Sequence, residues 1–436
     1  MEVSLVFDVG KTNKKILLFD HDQNLVSEKI EVFEEISDED GFPCDDIVKI
    51  KNWVLHHFQD VKTNQLYDLK NVSFSTYGAS FVHLDQNGEI VCPLYNYLKP
   101  FPENLKNDFL QKYGTAESLS LATASPFMDL LNSGLQLYYI KYAKPDFYQK
   151  IKTSLHLPQY LSYLISDQLY SDYTSIGCHT LLWDFVKNDY HSWVFSEGFD
   201  QKLAPIWNQK EFFIIKNDCK IGLGLHDTSA AVIPFLKNVK EQFLIISTGT
   251  WCIVLNPFDK TDLTEQKLKS DCLNFMKYNG STIRLSRLFL GKEHDFQELR
   301  ISSHFESEPE TYKKINYSMN EINLYISNLS FENELITKYI QLSHTENNWN
   351  ISVFNSYKEA YFFLMYGLVK LLFNSIKLVD NITCNKIYID GGFAKNQLFV
   401  LLLNKMLPQK EFIVSDVSQA SSIGANLLIQ NSSVLN

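Results

Sequence analysis

The sequence has little that would indicate disulfide bonds, a zinc centre or a polyanionic partner. Its 436 residues include seven cysteines, no two of which form a Cys-x-x-Cys pair. This spacing argues against a disulfide framework and a structural zinc site, so we expect most of the cysteines to be small core residues. The formal net charge is −11, without a run of lysine or arginine, and we therefore expect neither nucleic acid nor a membrane as a partner.

Long hydrophobic runs are also missing. The longest apolar stretch, residues 361–373, contains Lys370 and is shorter than a bilayer span. The N-terminus enters a strand-like segment without a basic leader region, which is unlike a signal peptide. Hydrophobic residues make up 45% of the chain, enough for a large core, and the length corresponds to about two to three domains. We expect a multi-domain cytoplasmic protein.

Two segments of similar pattern open the two halves of the chain. Residues 3–20 and 243–255 each place apolar, β-rich runs on either side of a short polar turn, which is typical of a hairpin. Strand and helix patterns alternate elsewhere, as at residues 386–390 and 396–407, and this alternation predicts α/β layers. The polar stretch 261–350 has no clear pattern. We predict two similar α/β halves, residues 1–238 and residues 239–436.

The turn after the first strand is the first candidate for binding phosphate. Asp8 closes that strand, where its carboxylate can hold a metal ion directly or through water. Gly10 lets a ligand approach the backbone, and the residues after it supply hydroxyl, amide and ammonium donors: Thr12, Asn13, Lys14 and Lys15. The same composition is typical of a solvated hairpin tip, so both interpretations stay open.

Three further segments combine small residues with groups that can bind a ligand. Residues 247–250, Ser-Thr-Gly-Thr, can surround a phosphate with donors, and Gly391 and Gly392 let a nucleotide approach a strand end. Asp227 opens a small-residue run that ends at Pro234 and is a candidate general base. Each segment also has a purely structural interpretation: residues 247–250 as a tight turn, the two glycines as the end of a strand, and Asp227 as a helix N-cap. None is a Walker P-loop or a G-x-G-x-x-G motif.

Taken in order, these segments resemble the FGGY family of carbohydrate kinases. The matching motifs are D-x-G-x-T-N from Asp8, H-D-T from His226, S-T-G-T-W from Ser247 and D-G-G-x-x-x-N from Asp390. They are spread over nearly the whole chain. Within the family, the rhamnulokinases are the most similar subgroup, because residues 226–232 and 157–163, H-D-T-S-A-A-V and L-P-Q-Y-L-S-Y, are close to their motifs.

This resemblance implies an actin-like fold, in which two ribonuclease-H-like α/β domains enclose a ligand cleft. It also implies ATP and Mg²⁺ as cofactors, with Asp8 near the metal and Asp227 as the base. The first phosphate loop would be formed by Lys11, Thr12, Asn13, Lys14 and Lys15, of which Lys15 is the better charge donor. The remaining contacts would be Gly249 and Thr250 to the β- and γ-phosphates, Gly391, Gly392 and Asn396 near the adenosine, and Gly78, His226, Asp227 and Thr228 around the sugar.

The reaction implied by the resemblance is transfer of the γ-phosphoryl group of ATP to a hydroxyl of a ketose or deoxyketose such as L-rhamnulose. A kinase for xylulose, fuculose or another polyol stays open, as does a catalytically silent, actin-like regulator that binds sugar or nucleotide. Three departures affect the sugar and the nucleotide: residues 95–99 lack the family's Asp and Arg, Phe393 replaces a small residue, and residues 284–295 lack a match for the sugar-contacting Asn. A homodimer is compatible with the family.

Overall fold

The structure is a computed structural model that describes residues 1–238, 241–328, 350–380, 384–415 and 419–430. Its strands are β1 Glu2–Val9, β2 Asn13–Asp20, β3 Leu25–Val32, β4 Ile36–Ser37, β5 Pro43–Cys44, β6 Asp68–Thr76, β7 Phe81–Leu84, β8 Thr153–His156, β9 Trp183–Asp184, β10 Asp189–Tyr190, β11 Phe213–Lys216, β12 Cys219–Gly222, β13 Leu225–His226, β14 Phe243–Thr248, β15 Cys252–Asn256, β16 Cys272–Met276, β17 Thr282–Leu288, β18 Lys386–Gly391 and β19 Glu411–Val414.

The α-helices alternate with these strands. They are α1 Ile47–Thr63, α2 Glu103–Tyr113, α3 Ala116–Thr123, α4 Ser133–Ala143, α5 Pro145–Lys150, α6 Leu157–Ser166, α7 Tyr173–Ile176, α8 Ser192–Ser196, α9 Asp227–Asn238, α10 Glu265–Lys269, α11 Leu290–His304, α12 Met319–Asn328, α13 Tyr357–Val379, α14 Gln397–Met406 and α15 Ala420–Gln430. Short 3₁₀ turns lie at Asp129–Leu131, Phe199–Gln201, Thr311–Lys314, Ile351–Val353 and Gly392–Lys395.

Two sheets repeat one arrangement of strands. In the first, the order is β11-β12-β6-β1-β2-β3, and β13 also pairs with β6. In the second, the order is β16-β17-β15-β14-β18-β19. Each sheet has three adjacent antiparallel strands, β1-β2-β3 and β14-β15-β17, whose first strand also runs parallel to a later one, β1 to β6 and β14 to β18. The prediction of duplicated, actin-like α/β halves is confirmed.

The two opening hairpins form where the apolar runs predict them. Strand β1 is buried on both faces, as expected for a strand in the middle of a layered sheet. Its register places Asp8 directly opposite Lys15 on β2, so their side chains leave the same face of the sheet. The hairpin therefore brings a carboxylate and an ammonium group together at one end of the sheet.

Helix α13 forms the centre of the second half. It is longer than the apolar stretch at residues 361–373, because the Ser356 hydroxyl accepts a hydrogen bond from the Glu359 amide and caps an earlier start. By length and composition alone the helix could cross a membrane, but over half of its apolar window is buried inside the protein. It packs with Ile246, Ile387 and Leu402 in one core cluster, and we interpret it as a core helix.

Helix α9 continues through Pro234 to Asn238, whereas the sequence run was expected to end at that proline. A proline has no N–H to donate to the carbonyl four residues earlier, which here belongs to Ala230. Helix α15 packs there: a Cβ on Gly424 would lie 1.9 Å from the Ala230 carbonyl oxygen. A proline inside α9 and a glycine on α15 thus permit a very close contact between the two helices.

Helix α15 returns from the second sheet to the first. It contacts α9, β6 and β1, and Ala425 and Leu428 share a core cluster with Val6 and Phe19. The strands of the first sheet all precede residue 238 and those of the second all follow it. Helix α15, however, belongs to the second half of the chain and packs against the first sheet, so the division at residue 238 stays a prediction. All seven cysteines are free and buried, as predicted.

Candidate active site

Asp227 lies where strand β13 meets helix α9. His226 pairs with Thr76 at the end of β6, and the helix begins at the next residue. The Asp227 Oδ1 atom accepts hydrogen bonds from the Thr228 amide at 2.6 Å and the Thr228 hydroxyl at 3.2 Å. Its side chain is 38% exposed, and Oδ2 has no hydrogen-bond donor among the described residues. One carboxylate oxygen is therefore oriented and the other is open to a ligand.

A buried histidine supports this carboxylate from behind. The Nε2 atom of His226 lies 3.3 Å from Asp227 Oδ1. Burial lowers the pKa of His226, and the charge of Asp227 opposes that shift. Gly78 leaves the space that the imidazole occupies, because a Cβ there would lie 2.9 Å from His226 Cδ2. Gly78, His226, Asp227 and Thr228 thus lie together, and their contact with a sugar stays a prediction.

Asp8 is a second carboxylate in the same region. It is buried at the end of β1, and its Oδ2 atom accepts hydrogen bonds from the Ser421 and Ser422 hydroxyls, both at 3.0 Å. Burial and then the charge of Asp227 raise the pKa of Asp8, while the two serines and Lys15 lower it. Carboxylate oxygens are the ligands that Mg²⁺ prefers, so Asp8, with Oδ1 free of donors among the described residues, fits a magnesium ion.

The lysines of the first turn divide between two environments. Lys14 is fully buried, and its Nζ atom donates to Asp45 Oδ1 at 2.9 Å. Lys11 donates from Nζ to Asp45 Oδ2 and Glu35 Oε1, both at 2.7 Å. Neighbouring residues of a strand point to opposite faces, and so only Lys15 lies on the Asp8 side. The side chains of Lys11 and Lys14, predicted to lie in the phosphate loop, both bind Asp45.

The tip of this turn is formed by Thr12 and Asn13, which are exposed. The turn is closed by a hydrogen bond from the Gly10 amide to the Asn13 carbonyl at 2.9 Å. Backbone and hydroxyl donors at the tip are available to a phosphate, and this role of residues 10–15 stays a prediction.

Residues 95–99, which depart from the family motif, serve two purposes. The Lys99 ammonium donates to Asp38 and Asp40 at 2.5 and 2.6 Å and is buried, so it acts within the core. Tyr97 is half-buried, and its ring lies edge-on to that of Tyr77 at 6.2 Å. Burial raises the pKa of Tyr97, and among the surrounding charges Asp227 acts in the same direction. Tyr97 therefore lies beside Tyr77, whose hydroxyl donates to Asp45 Oδ2 at 2.8 Å.

A cavity of about 650 Å³ lies in the second half, within the size range of small-molecule sites. The sequence predicted part of its lining, namely Gly249, Thr250, Gly392, Phe393 and Asn396. It did not predict the aromatic and imidazole side chains that complete it, His294, Tyr312 and Tyr361. These rings lie in contact: Tyr312 stacks on Tyr361 at 4.9 Å, and His294 meets Phe393 edge-on at 5.0 Å. The cavity can bind a flat aromatic group.

Asn396 and Tyr361 form a hydrogen-bonded pair at the cavity wall. The Asn396 amide nitrogen donates to the Tyr361 hydroxyl at 2.8 Å, and its oxygen caps α14 by accepting from the Phe399 amide. The Tyr361 hydroxyl also lies 3.0 Å from His294 Nε2. Asn396 thus fixes the wall of the cavity; its predicted contact with adenosine is untested.

Close backbone contacts hold the two loops that border this cavity. Gly391 has φ +90°, and a Cβ there would lie 1.8 Å from the Thr248 carbonyl oxygen. The Thr248 hydroxyl donates to the Asp390 carbonyl at 2.6 Å and accepts from the Phe393 amide at 3.1 Å. Gly291, which the sequence reading missed, lies as close: a Cβ there would be 1.9 Å from the Gly249 carbonyl oxygen. Gly291 lies in the first turn of α11, just after strand β17, and a glycine at such a position was the available signal.

Comparison with known proteins identifies the relatives of this chain. Residues 3–199 match the FGGY family of carbohydrate kinases, N-terminal domain. The rhamnulokinase of Oceanobacillus iheyensis is 22% identical over 457 residues, which cover 98% of this chain and 93% of that protein. The rhamnulokinase of Halalkalibacterium halodurans is 23% identical over 276 residues, and this alignment spans 58% of the chain and only about half, 56%, of that relative.

Solved structures have the same fold. A carbohydrate kinase from Novosphingobium aromaticivorans superposes with a TM-score of 0.78 at 20% identity, covering 98% of this chain and 93% of that one. Plasmodium falciparum glycerol kinase with ADP has a TM-score of 0.74 at 15% identity, with 99% and 90% covered. The predicted resemblance to the FGGY carbohydrate kinases is confirmed for the N-terminal domain, residues 3–199.

Proposed function

We propose that this chain, whose residues 3–199 match the N-terminal domain of the FGGY carbohydrate kinases, transfers the γ-phosphoryl group of ATP to a hydroxyl of a ketose or deoxyketose such as L-rhamnulose. The observation that carries the proposal is the Asp227 carboxylate, which has one oriented and one open oxygen and acts electrostatically on the buried Asp8. A general base and a ligand for a divalent cation are the two carboxylate roles that this reaction requires.

Asp227 accepts the proton of the attacking hydroxyl. Its Oδ1 atom is held by Thr228, so the free Oδ2 atom has a defined direction. A positioned general base contributes about 10²–10⁴-fold to the rate. His226, neutral because burial lowers its pKa, keeps Asp227 in place without competing for the proton.

Lys15 supplies positive charge to the phosphates directly. Asp8 would do so by holding a divalent cation. Mg²⁺ bound at Asp8 would neutralise charge that develops on the transferring phosphoryl group. Lys15 adds a fixed positive charge from the neighbouring strand, directly opposite Asp8. We assign the β- and γ-phosphates to the backbone and hydroxyls of Gly249 and Thr250, which line the cavity.

The nucleotide occupies the cavity of the second half. We place the purine against the aromatic side chains that line this cavity, among them Phe393 and Tyr312, since offset stacking of flat rings is favourable. Gly392 lines the cavity, and a Cβ built on it meets nothing within 4 Å, so the space beside its backbone is open to a ligand. We therefore keep Gly392 and Asn396 as adenosine contacts, and Gly391 as the residue that permits the close strand contact beneath them.

The preference for a deoxyketose rests on the curated relatives, which are named rhamnulokinases. Residues 95–99 favour a sugar site different from the usual one of the family, because they lack its Asp and Arg and because Lys99 is paired with Asp38. Kinases for xylulose, fuculose or another polyol therefore stay the alternative. A silent regulator is disfavoured by the open Asp227 oxygen. A cytoplasmic location, a homodimer, and no nucleic-acid or membrane partner stay predictions.

The experiment that tests this function is a sugar panel in a coupled assay of ADP release. L-rhamnulose, L-fuculose, D-xylulose and glycerol are compared with a reaction that lacks sugar, and the phosphorylated position of each product is mapped by NMR. We expect ADP release that depends on a ketose, with L-rhamnulose giving the highest kcat/KM. Release of ADP at the same rate without sugar, and no phosphorylated product, would contradict a kinase activity.

A further inference from the structure

Helix α15 contacts the elements that carry both carboxylates of the site. At its start, Ser421 and Ser422 donate their hydroxyls to Asp8. One turn later, Gly424 lies against Ala230 of α9, the helix that begins at Asp227. Ser421 is separated from Asp8 by 413 positions of sequence, and none of the motifs described above includes this helix.

The two serine hydroxyls bind the same oxygen of Asp8. Both distances to Oδ2 are 3.0 Å, and Ser422 is fully buried. Because Oδ2 accepts both bonds, the carboxylate is fixed about its Cβ–Cγ bond, and Oδ1 is left for a cation. Hydrogen bonds to a charged group are stronger than those between neutral groups, so the two together select one orientation of the carboxylate.

We propose that Ser421 and Ser422 are positioning residues that orient Asp8 for the divalent cation. This inference rests on the proposed function, in which Asp8 holds Mg²⁺. Groups that hydrogen-bond to a metal ligand set its orientation, and their removal typically lowers metal affinity or activity about 10–100-fold. The two serines reach Asp8 from the far end of the chain, so cation binding depends on α15 being docked on the first sheet.

A matched set of variants separates positioning from simple packing. The Ser421→Ala/Ser422→Ala variant removes both hydroxyls at Asp8. Gln430→Ala is the control. Gln430 donates from Nε2 to the Ser4 hydroxyl at 3.0 Å, so the substitution removes a hydrogen bond between the same helix and the same strand, but at a distance from the carboxylate. Ser421→Thr keeps the hydroxyl at the less buried of the two positions. Asp8→Ala tests the cation site itself.

The measurement is Mn²⁺ binding in the presence of ADP and without sugar, followed by electron paramagnetic resonance of the free ion. We expect the double variant to bind Mn²⁺ about 10–100-fold more weakly, while Gln430→Ala and Ser421→Thr bind as the wild type does. Thermal unfolding by circular dichroism confirms that each variant is folded, and the single variants Ser421→Ala and Ser422→Ala replace the double one if it does not fold.

Two results would overturn the inference in different ways. Wild-type Mn²⁺ affinity in the serine variants, together with loss of binding in Asp8→Ala, would remove the positioning role and leave the proposed cation site intact. Wild-type affinity in Asp8→Ala would remove the cation role of Asp8, and the inference with it, while leaving sugar-dependent ADP release as a separate test of the kinase activity.

Discussion

Gly78 and the imidazole of His226 are packed so closely that no side chain fits between them: a Cβ on Gly78 would lie 2.9 Å from His226 Cδ2 and 3.1 Å from Cys178 Sγ. Both neighbours are buried, so neither can move into solvent. Because His226 precedes Asp227 and contacts its carboxylate, the size of residue 78 sets the position of the proposed base.

Gly78→Ala should therefore lower sugar phosphorylation without affecting the nucleotide. A displacement of about 1 Å at a reacting group can cost about 10²-fold in rate, and we expect a loss of that order in kcat. Steady-state kinetics with varied sugar and varied ATP measure it. Gly222→Ala is the matched control, since a Cβ there makes only ordinary contacts at 3.4 Å or more. Equal kcat in both variants would contradict the positioning of Asp227 by His226.

The parts of the fold that could be predicted are those in which local pattern and tertiary structure agree. The two hairpins and the helix that starts at Asp227 could be predicted from the sequence, because apolar alternation and small polar residues determine them locally. The order of four short motifs then identified the family, which is information about relatives rather than about physical chemistry.

The parts that could not be predicted depend on partners distant in sequence. The sequence predicts Lys14 in the phosphate loop, whereas in the structure its ammonium group donates to Asp45, which lies 31 positions further along the chain. His294 and Tyr312 lie in a polar stretch without periodicity, and only the tertiary structure brings them to Tyr361. The return of α15 to the first sheet likewise has no local signal, since Ser421 meets Asp8 across nearly the whole chain.

Phe393 offers a prediction about nucleotide preference. Its ring lies between those of His294 and Phe399, at 5.0 and 5.1 Å, and lines the cavity. Phe393→Ala should widen the cavity and reduce the preference for ATP over GTP, and it should cost about 3 kcal/mol of folding free energy. Relative kcat/KM for the two nucleotides is the measurement.

The control for that substitution is Phe399→Ala. Phe399 is fully buried in the same core cluster but does not line the cavity. We expect a similar loss of stability with an unchanged ATP-to-GTP ratio. If both variants change the ratio equally, the effect belongs to the core and Phe393 does not select the base.

Two buried histidines predict a loss of stability in mild acid. Burial lowers the pKa of His83 and of His156 to about 3, against an ordinary value near 6.5. Below about pH 6.5 the unfolded chain takes up protons that the folded protein does not, so stability that is fully present above that pH is lost as the pH falls. Between about pH 7.5 and about pH 5, each histidine should reduce the free energy of unfolding by about 2 kcal/mol.

Urea unfolding at a series of pH values measures this loss. His83→Gln should remove about half of the contribution of the pair, whereas His21→Gln should leave the slope unchanged, because the His21 side chain is 81% exposed. A pH slope in His83→Gln identical to that of the wild type would exclude a neutral, buried His83 as its cause.

The role of Asp227 as the base that deprotonates the sugar is tested most directly by Asp227→Asn. The amide keeps the size of the side chain but cannot accept the proton, so we expect ATP to bind with unchanged affinity, measured by calorimetry. Sugar phosphate formed from γ-labelled ATP in a single turnover should fall by about 10²–10⁴-fold relative to wild type. Sugar phosphate formed at the wild-type rate by the Asp227→Asn protein would contradict the account.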